Sequence, residues 1–190
     1  TFKLDADAKF QNGEKVTPAD VKASFERVLD EATGAAARAN FTSIESIDTP
    51  DETTVVFNLS QPDVPMLTAM TGINAAVVPA SEIEAGTIGT KAIGSGPFKL
   101  DSWEPNQKEV LSANPDWAGG EVKVDGINIS VLPDETAILA ALRTKQVDFA
   151  LINDPLVATL VPNEASLELS RTPVLAYHVL QLNPSSEPMT

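Results

Sequence analysis

The sequence predicts an α/β fold with a mixed sheet, arranged as two subdomains, and three features carry that expectation. Residues 124–152 read as a strand, a helix and a strand in succession. Two stretches, 44–60 and 98–113, alternate apolar and polar side chains on either side of a turn, as hairpins do. An amphipathic helix opens at Thr17. Gly86 to Ile93 is small and glycine-rich and marks a boundary near residue 91, between a smaller subdomain 1–91 and a main subdomain 92–190.

In the first part, Phe2 and Leu4 alternate with Lys3 and Asp5, the pattern of a half-buried strand. Phe10-Gln-Asn-Gly13 is a turn. Thr17-Pro-Ala-Asp20 is a helix start: Thr17 caps, Pro18 suits the first helical position, and Asp20 puts a carboxylate near the positive end of the dipole. Val21, Phe25, Val28 and Leu29 then form the buried face, and Gly34 is the stop. Ile44–Asp51 and Thr53–Ser60 pair about the turn Thr49-Pro-Asp-Glu52. Met66, Leu67 and Met70 suggest a short helix, as does Pro79-Ala-Ser-Glu-Ile. The apolar stretch Ile73 to Pro79 between them is expected as a buried strand.

In the second part, Gly94-Ser-Gly-Pro opens a strand in which Phe98, Leu100 and Ser102 share one face. Glu104-Pro-Asn106 turns it back along Gln107 to Ala113. Val124 to Leu132 is the next strand. Asp134 caps a helix with Ile138, Ala141 and Leu142 on its packing face and Arg143 and Lys145 in its last turn. Val147 to Ile152 is apolar on both faces except Asp148, as a strand covered on both sides would be. A parallel pairing of 124–132 with 147–152, through a right-handed crossover, is the default. Leu156 to Val161 reads as a helix, and Ser166–Ser170 and Pro173–Leu182 as strands.

Composition removes several functions. The 190 residues carry 43% hydrophobic side chains, so a core is available. The formal net charge of −14 repels nucleic acid and anionic membranes, and neither is expected as a partner. Without cysteine there is no disulfide, cysteine-ligated zinc or thiol catalysis. His178 is the only histidine and has no clustered partner, so no metal site is expected. No glycine loop of the phosphate-cradling kind occurs, and Gly94-Ser-Gly96 lacks the following helix a dinucleotide site needs; no cofactor is expected. No stretch approaches the roughly 20 apolar residues of a membrane span. Thr1-Phe-Lys-Leu starts inside an alternating pattern and Asn183–Thr190 is a loop, so the chain reads as a piece of a longer protein whose signal and anchor lie elsewhere.

Several of these stretches together resemble the extracellular solute-binding proteins of the peptide and nickel class, family 5, which serve ABC importers. The resemblance rests on Phe10-Gln-Asn-Gly13 with Thr17-Pro-Ala-Asp20, on Gly94-Ser-Gly-Pro-Phe98, Trp103-Glu-Pro105 and Asn114-Pro-Asp-Trp117 with Gly120, and on Pro133-Asp134 through Val147-Asp148. One departure stands out: Lys145-Gln146 occupies the place where the family usually has glycine and glutamate. The turn is expected at the far end of the sheet from any ligand. The resemblance implies a type II periplasmic-binding-protein-like lobe, incomplete, truncated at its N-terminal side and ending near the hinge to a second lobe. It implies a peptide or similar solute trapped by lobe closure, ABC permease membrane subunits as partner, and a place in the periplasm or on the extracellular face of the membrane, free or as a lipoprotein. A monomer is expected, and not an enzyme.

Two lines converge on a candidate site. In open α/β sheets ligands gather beyond the carboxyl ends of the strands, which here means Asn153 and Asp154 after Ile152. The same geometry lets Asp154-Pro155 simply start the next helix, and one residue can do both. The resemblance independently turns the stretch Leu151 to Asp154 toward ligand, and matches Tyr177 and His178 to a strand that returns to the cleft. Tyr177 there is either a flat wall with a hydroxyl for peptide or a core tyrosine. Ligand-binding candidates are therefore Ile152, Asn153, Asp154, Tyr177 and His178, with no catalytic residue. Alternatives are nickel chelates or oligosaccharides on the same fold, a carboxylate-dependent hydrolase using Asp148 and Asp154, and an interaction domain without a small ligand.

Overall fold

The computed structural model describes residues 1–173. The chain forms two compact units, Thr1–Val131 and a second that begins at Leu132. In chain order the first holds β1 (Phe2–Lys3), α1 (Pro18–Leu29), β2 (Ile44–Asp51), β3 (Thr54–Leu59), α2 (Pro65–Ala69), α3 (Ala80–Glu84), β4 (Phe98–Glu104), β5 (Lys108–Ala113) and β6 (Gly126–Ser130). The second holds α4 (Glu135–Arg143) and α5 (Pro155–Ala158). The boundary expected near residue 91 falls inside the first unit, between its two sheets, while the compact units part after Val131.

The first sheet has the order β1-β3-β2, antiparallel throughout. α1 lies across it, and the start of that helix is doubly secured. The Thr17 hydroxyl oxygen accepts from the Asp20 N–H, and the Asp20 carboxylate accepts from the Thr17 N–H at 2.8 Å. Val21, Phe25 and Val28 point down from α1 onto Phe41, Ile44, Ile47 and Val55, with Met66 of α2 closing the cluster. Phe25 meets Phe41 and Phe57 edge-on, with ring centroids 5.2 and 5.0 Å apart. Full burial of each large side chain in this cluster stabilises by about 1.5–3 kcal/mol.

The stretch Ile73–Pro79 is not a buried strand. It opens as a 3-10 turn, Ile73–Ala75, and Ile73 is 90% exposed. The reason is a competing partner for its backbone. The Val78 N–H donates to the Ser24 hydroxyl oxygen at 3.0 Å, and that hydroxyl donates to the Val78 carbonyl at 3.3 Å. The segment is thus tied to α1 rather than to a ladder.

The second sheet has the order β4-β5-β6, again antiparallel. A bulge between Leu100 and Ser102 interrupts the expected alternation, where the Asp101 carboxylate accepts from the Ser112 hydroxyl at 2.9 Å. Gly126 begins β6 beside Leu111; a Cβ at that position would collide with the Leu111 carbonyl oxygen. The two sheets are linked by Gln11, whose N–H donates to the Gly94 carbonyl at 2.8 Å and whose side chain donates to the Phe98 carbonyl at 2.6 Å. Buried Asn114 ties the far end of the hairpin, donating from its amide to the Gly96 carbonyl at 2.9 Å.

The expected parallel unit of 124–132 with 147–152 does not form. β6 is an antiparallel neighbour of β5, and 147–152 is not a strand. A strand exists only where its backbone groups find a ladder. Among the described residues none runs beside 147–152, and its apolar side chains stand open, Phe149 at 80% and Leu151 at 72% exposure. Ser166–Ser170 is likewise no strand. The helix expected over 156–161 is realised as α5 followed by a 3-10 turn, Val161–Asn163. The strand expected over 173–182 lies, from residue 174, outside the described residues. No helix among the described residues is long and apolar enough to cross a membrane.

Candidate functional site

The site expected at the end of 147–152 is built by two helix starts. Asp134 caps α4, its carboxylate accepting from the Ala137 N–H at 2.8 Å. That fixes the next residue, Glu135, in the first turn. The Glu135 carboxylate then reaches the loop before α5 and accepts two backbone hydrogen bonds, from the Asn153 N–H at 2.8 Å and the Asp154 N–H at 2.7 Å. Asp154 caps α5 in turn, accepting from the Leu156 N–H at 2.7 Å. At the other end of α4, Arg143 pairs with Glu164 at 2.6 Å and holds the 3-10 turn after α5.

This arrangement sorts the candidates. Ile152 is half-buried, and Asn153 and Asp154 are exposed. Of the two roles open to Asp154, the cap is observed. The main-chain donors of 153 and 154 are already used by Glu135, which leaves that of Asn153 as the polar side chain of residues 152–154 without a hydrogen-bond partner among the described residues. Tyr177 and His178 lie outside the described residues. Asp148 is exposed and forms no hydrogen bond or ion pair among the described residues. Among the described residues no group of three or more histidine, cysteine, aspartate or glutamate side chains can hold a metal.

Glu135 is the residue that reading the sequence missed. Its place in the first turn of a helix was legible, and its reach to a loop eighteen residues on was not. Among the described residues, two cavities of the first unit stand out by volume, and neither is lined by residues 152–154. One of about 570 Å³ lies between the end of β1, the start of α1 and the β2–β3 turn. The other, of about 360 Å³, lies between the C-terminal half of α1, Ala35–Ala37 and the 73–89 stretch.

Residues 1–190 match the bacterial extracellular solute-binding proteins, family 5 Middle. The chain belongs to that family. An Escherichia coli K12 protein named "Probable D,D-dipeptide-binding periplasmic protein" is 34% identical over 198 residues, covering 100% of this chain and 38% of its own length. The solved structure of AgaA from A. tumefaciens R10, in complex with agropinic acid, is 32% identical with a TM-score of 0.69, covering 77% of this chain and 33% of that one. The oligopeptide-binding protein AppA of Bacillus subtilis, in complex with a nonapeptide, is 25% identical with a TM-score of 0.66, covering 76% and 30%. The fold of this family 5 chain is accordingly the α/β fold of the periplasmic binding proteins. The chain spans about a third of the length of the curated relatives it matches, 32% for the first of them.

The family assignment gives meaning to contacts already described. Two of the stretches that carry the resemblance, Phe10–Gly13 and Gly94–Phe98, are hydrogen-bonded to one another through Gln11. A third, Asn114-Pro-Asp-Trp117, returns to the second through the Asn114 amide. These family stretches therefore form one connected polar seam in the first unit.

Proposed function

We propose that this chain is part of the solute-binding component of an ABC importer, capturing di- or oligopeptides by closure of two lobes and delivering them to membrane permease subunits. The observation that carries this reading is the family match over residues 1–190. The peptide named for the E. coli relative and the nonapeptide held by the B. subtilis protein support peptide as solute. In this reading 1–91 and 92–190 are the two subdomains of lobe I. Ile152, Asn153, Asp154, Tyr177 and His178 border the cleft. The protein works outside the cytoplasm, as a monomer, and is not an enzyme.

The local geometry narrows how the rim would act. With the 153 and 154 N–H groups held by Glu135, a peptide backbone is met by the Asn153 amide, which can donate and accept at once. The Asp154 carboxylate faces its own helix, which weighs against a role as a hydrolytic base. AgaA, with agropinic acid, supports a second reading in which the solute is a smaller polyfunctional acid rather than a peptide.

The test is mass spectrometry of what co-purifies with the full-length protein, followed by calorimetry against a mixed peptide pool. Bound peptides and heat of binding are expected, with Asn153→Ala about tenfold weaker. Recovery of a non-peptide solute alone would move the assignment to the second reading. Turnover of any peptide, lost in Asp154→Asn, would replace both with a hydrolase.

A further inference from the structure

We infer a second small-molecule site, in the 360 Å³ cavity of the first unit, that takes a small carboxylate with an apolar body. Its volume lies within the roughly 300–1,000 Å³ of ligand pockets. Its wall is mostly apolar and small: Val28 of α1, Ala35–Ala37 and Ile88. Two polar groups in that wall have no hydrogen-bond or ion-pair partner among the described residues, the half-buried Arg27 guanidinium and, at the exposed mouth, the Asn74 amide.

Arg27 is the deciding residue. It is half-buried, in a chain with 27 acidic and 13 basic side chains, where carboxylates to pair with are abundant. Among the described residues five of the thirteen basic side chains, Lys3, Lys22, Arg38, Lys91 and Arg143, take one, and Arg27 is the half-buried arginine that does not. Arg38, the nearest arginine in sequence, donates to the Leu29 carbonyl at 2.8 Å and to the Glu31 carboxylate at 2.8 Å. Arg27 instead lies in the last turn of α1 and lines the cavity. A planar guanidinium that is partly out of water matches a carboxylate in two parallel hydrogen bonds. The Asn74 amide supplies a further donor, and the alanine and valine wall receives the apolar body of the ligand.

Two edges of the wall are tied down, while Ile73, 90% exposed, leaves its mouth open to solvent. Ser24 holds Val78 by two hydrogen bonds, and the Asp20 carboxylate accepts from the Ala80 N–H at 2.8 Å. These fix the 78–80 stretch against α1 from one side. On the other, the Arg38 side chain ties the 3-10 turn Ala36–Asn40 to the Leu29 carbonyl at the end of α1. The cavity lies between the two anchored edges and does not depend on the solute cleft proposed above.

The experiment is methyl NMR of the full-length protein, with isoleucine δ1 methyls labelled, titrated with hexanoate and separately with 1-hexanol. Hexanoate is expected to shift the Ile73 and Ile88 methyls, and hexanol to shift them at least about tenfold more weakly. Arg27→Gln is expected to reduce the hexanoate affinity about tenfold while leaving the hexanol response unchanged. Should that variant fail to fold, Asn74→Leu and the cavity-filling Ala36→Leu serve in its place, each weakening hexanoate. Shifts confined to other isoleucines, equal shifts with both probes, or an unchanged response in Arg27→Gln would overturn the site. Peptide binding in the calorimetric test above is untouched by any of these outcomes.

Discussion

Glu135 and Asn153 are joined by a hydrogen bond of 2.8 Å between the carboxylate of one and the backbone N–H of the other. The same carboxylate takes the Asp154 N–H with its second oxygen. One acidic side chain therefore sets the conformation of the loop on which the candidate rim stands. It does so from a helix whose own start is fixed by Asp134. The loop inherits its position from the cap of α4.

Glu135→Ala is expected to loosen that loop without unfolding α4. Both hydrogen bonds are solvent-exposed, so each contributes about 0.5–1 kcal/mol once screening is counted. Amide exchange at Asn153 and Asp154 should quicken by roughly two- to fivefold. Exchange at Leu139, in the buried face of α4, should change far less. Glu135→Gln keeps one acceptor and should fall between. Equal acceleration at Leu139 and Asn153 would show that Glu135 supports the helix, not the loop.

Asp20 combines a cap with a tertiary tie. It is 8% exposed, and besides the Thr17 bonds it accepts from the Ala80 N–H at 2.8 Å. Asp20→Ala strips the partners from donors at Thr17 and Ala80 together. The loss should be about 2–4 kcal/mol, more than the roughly 1 kcal/mol of an ordinary cap. Asp20→Asn retains acceptor capacity and should cost less than half as much. Urea unfolding of the three proteins checks the order.

These two residues show what could be read from the chain and what could not. The caps at Thr17, Asp134 and Asp154 were legible because the partner N–H lies two or three residues away. The hairpins at 44–60 and 98–113 were legible because alternation and turn chemistry are local too. The tie from Asp20 to Ala80 and the reach of Glu135 to Asn153 span sixty and eighteen residues, and no periodicity records them. The misread strand at 147–152 has the same cause. Apolar composition on both faces announces burial, but which element covers it is a fact of topology. Ile73–Pro79 failed for a further reason, since Ser24 offered its backbone a partner that no strand pattern reveals.

Asp51 gives the protein a particular response to acid. Its carboxyl is held well below its ordinary 3.8, first by the Thr54 hydroxyl and then by the Thr53 N–H; desolvation opposes them, and Lys3 adds a smaller lowering. The folded value is below the unfolded one, so the unfolded chain takes up the proton first as pH falls. The contribution of Asp51 is therefore fully present above about pH 4–5 and is lost as pH drops toward the folded value. Asp51→Asn should be less stable than the parent by a constant margin from pH 7 to about 5, and the margin should shrink below pH 4. Urea midpoints across that range measure it. A margin that widens on acidification would contradict the assignment.

Lys145 carries the one departure from the family pattern, and the structure shows what it costs. α4 ends in a Schellman arrangement: the Gln146 N–H donates to the Ala141 carbonyl at 2.9 Å and the Lys145 N–H to the Leu142 carbonyl at 3.1 Å. This closure needs a left-handed residue at position 145, and Lys145 has φ +55°. Glycine adopts that conformation without a Cβ penalty, whereas an L side chain loses about 1 kcal/mol or more. Against this, glycine has more freedom to lose from the unfolded chain. The strain is the larger effect, because the Schellman bonds hold the angle whatever residue is present. Lys145→Gly should therefore raise stability by about 0.5–1 kcal/mol, and Lys145→Val should lower it by more than that, since a β-branched side chain resists positive φ most strongly. Asn at the same position should fall between lysine and glycine. Thermal and urea unfolding of the four proteins settles the ranking; a glycine variant no more stable than the parent would mean that the turn relaxes out of the left-handed region in solution.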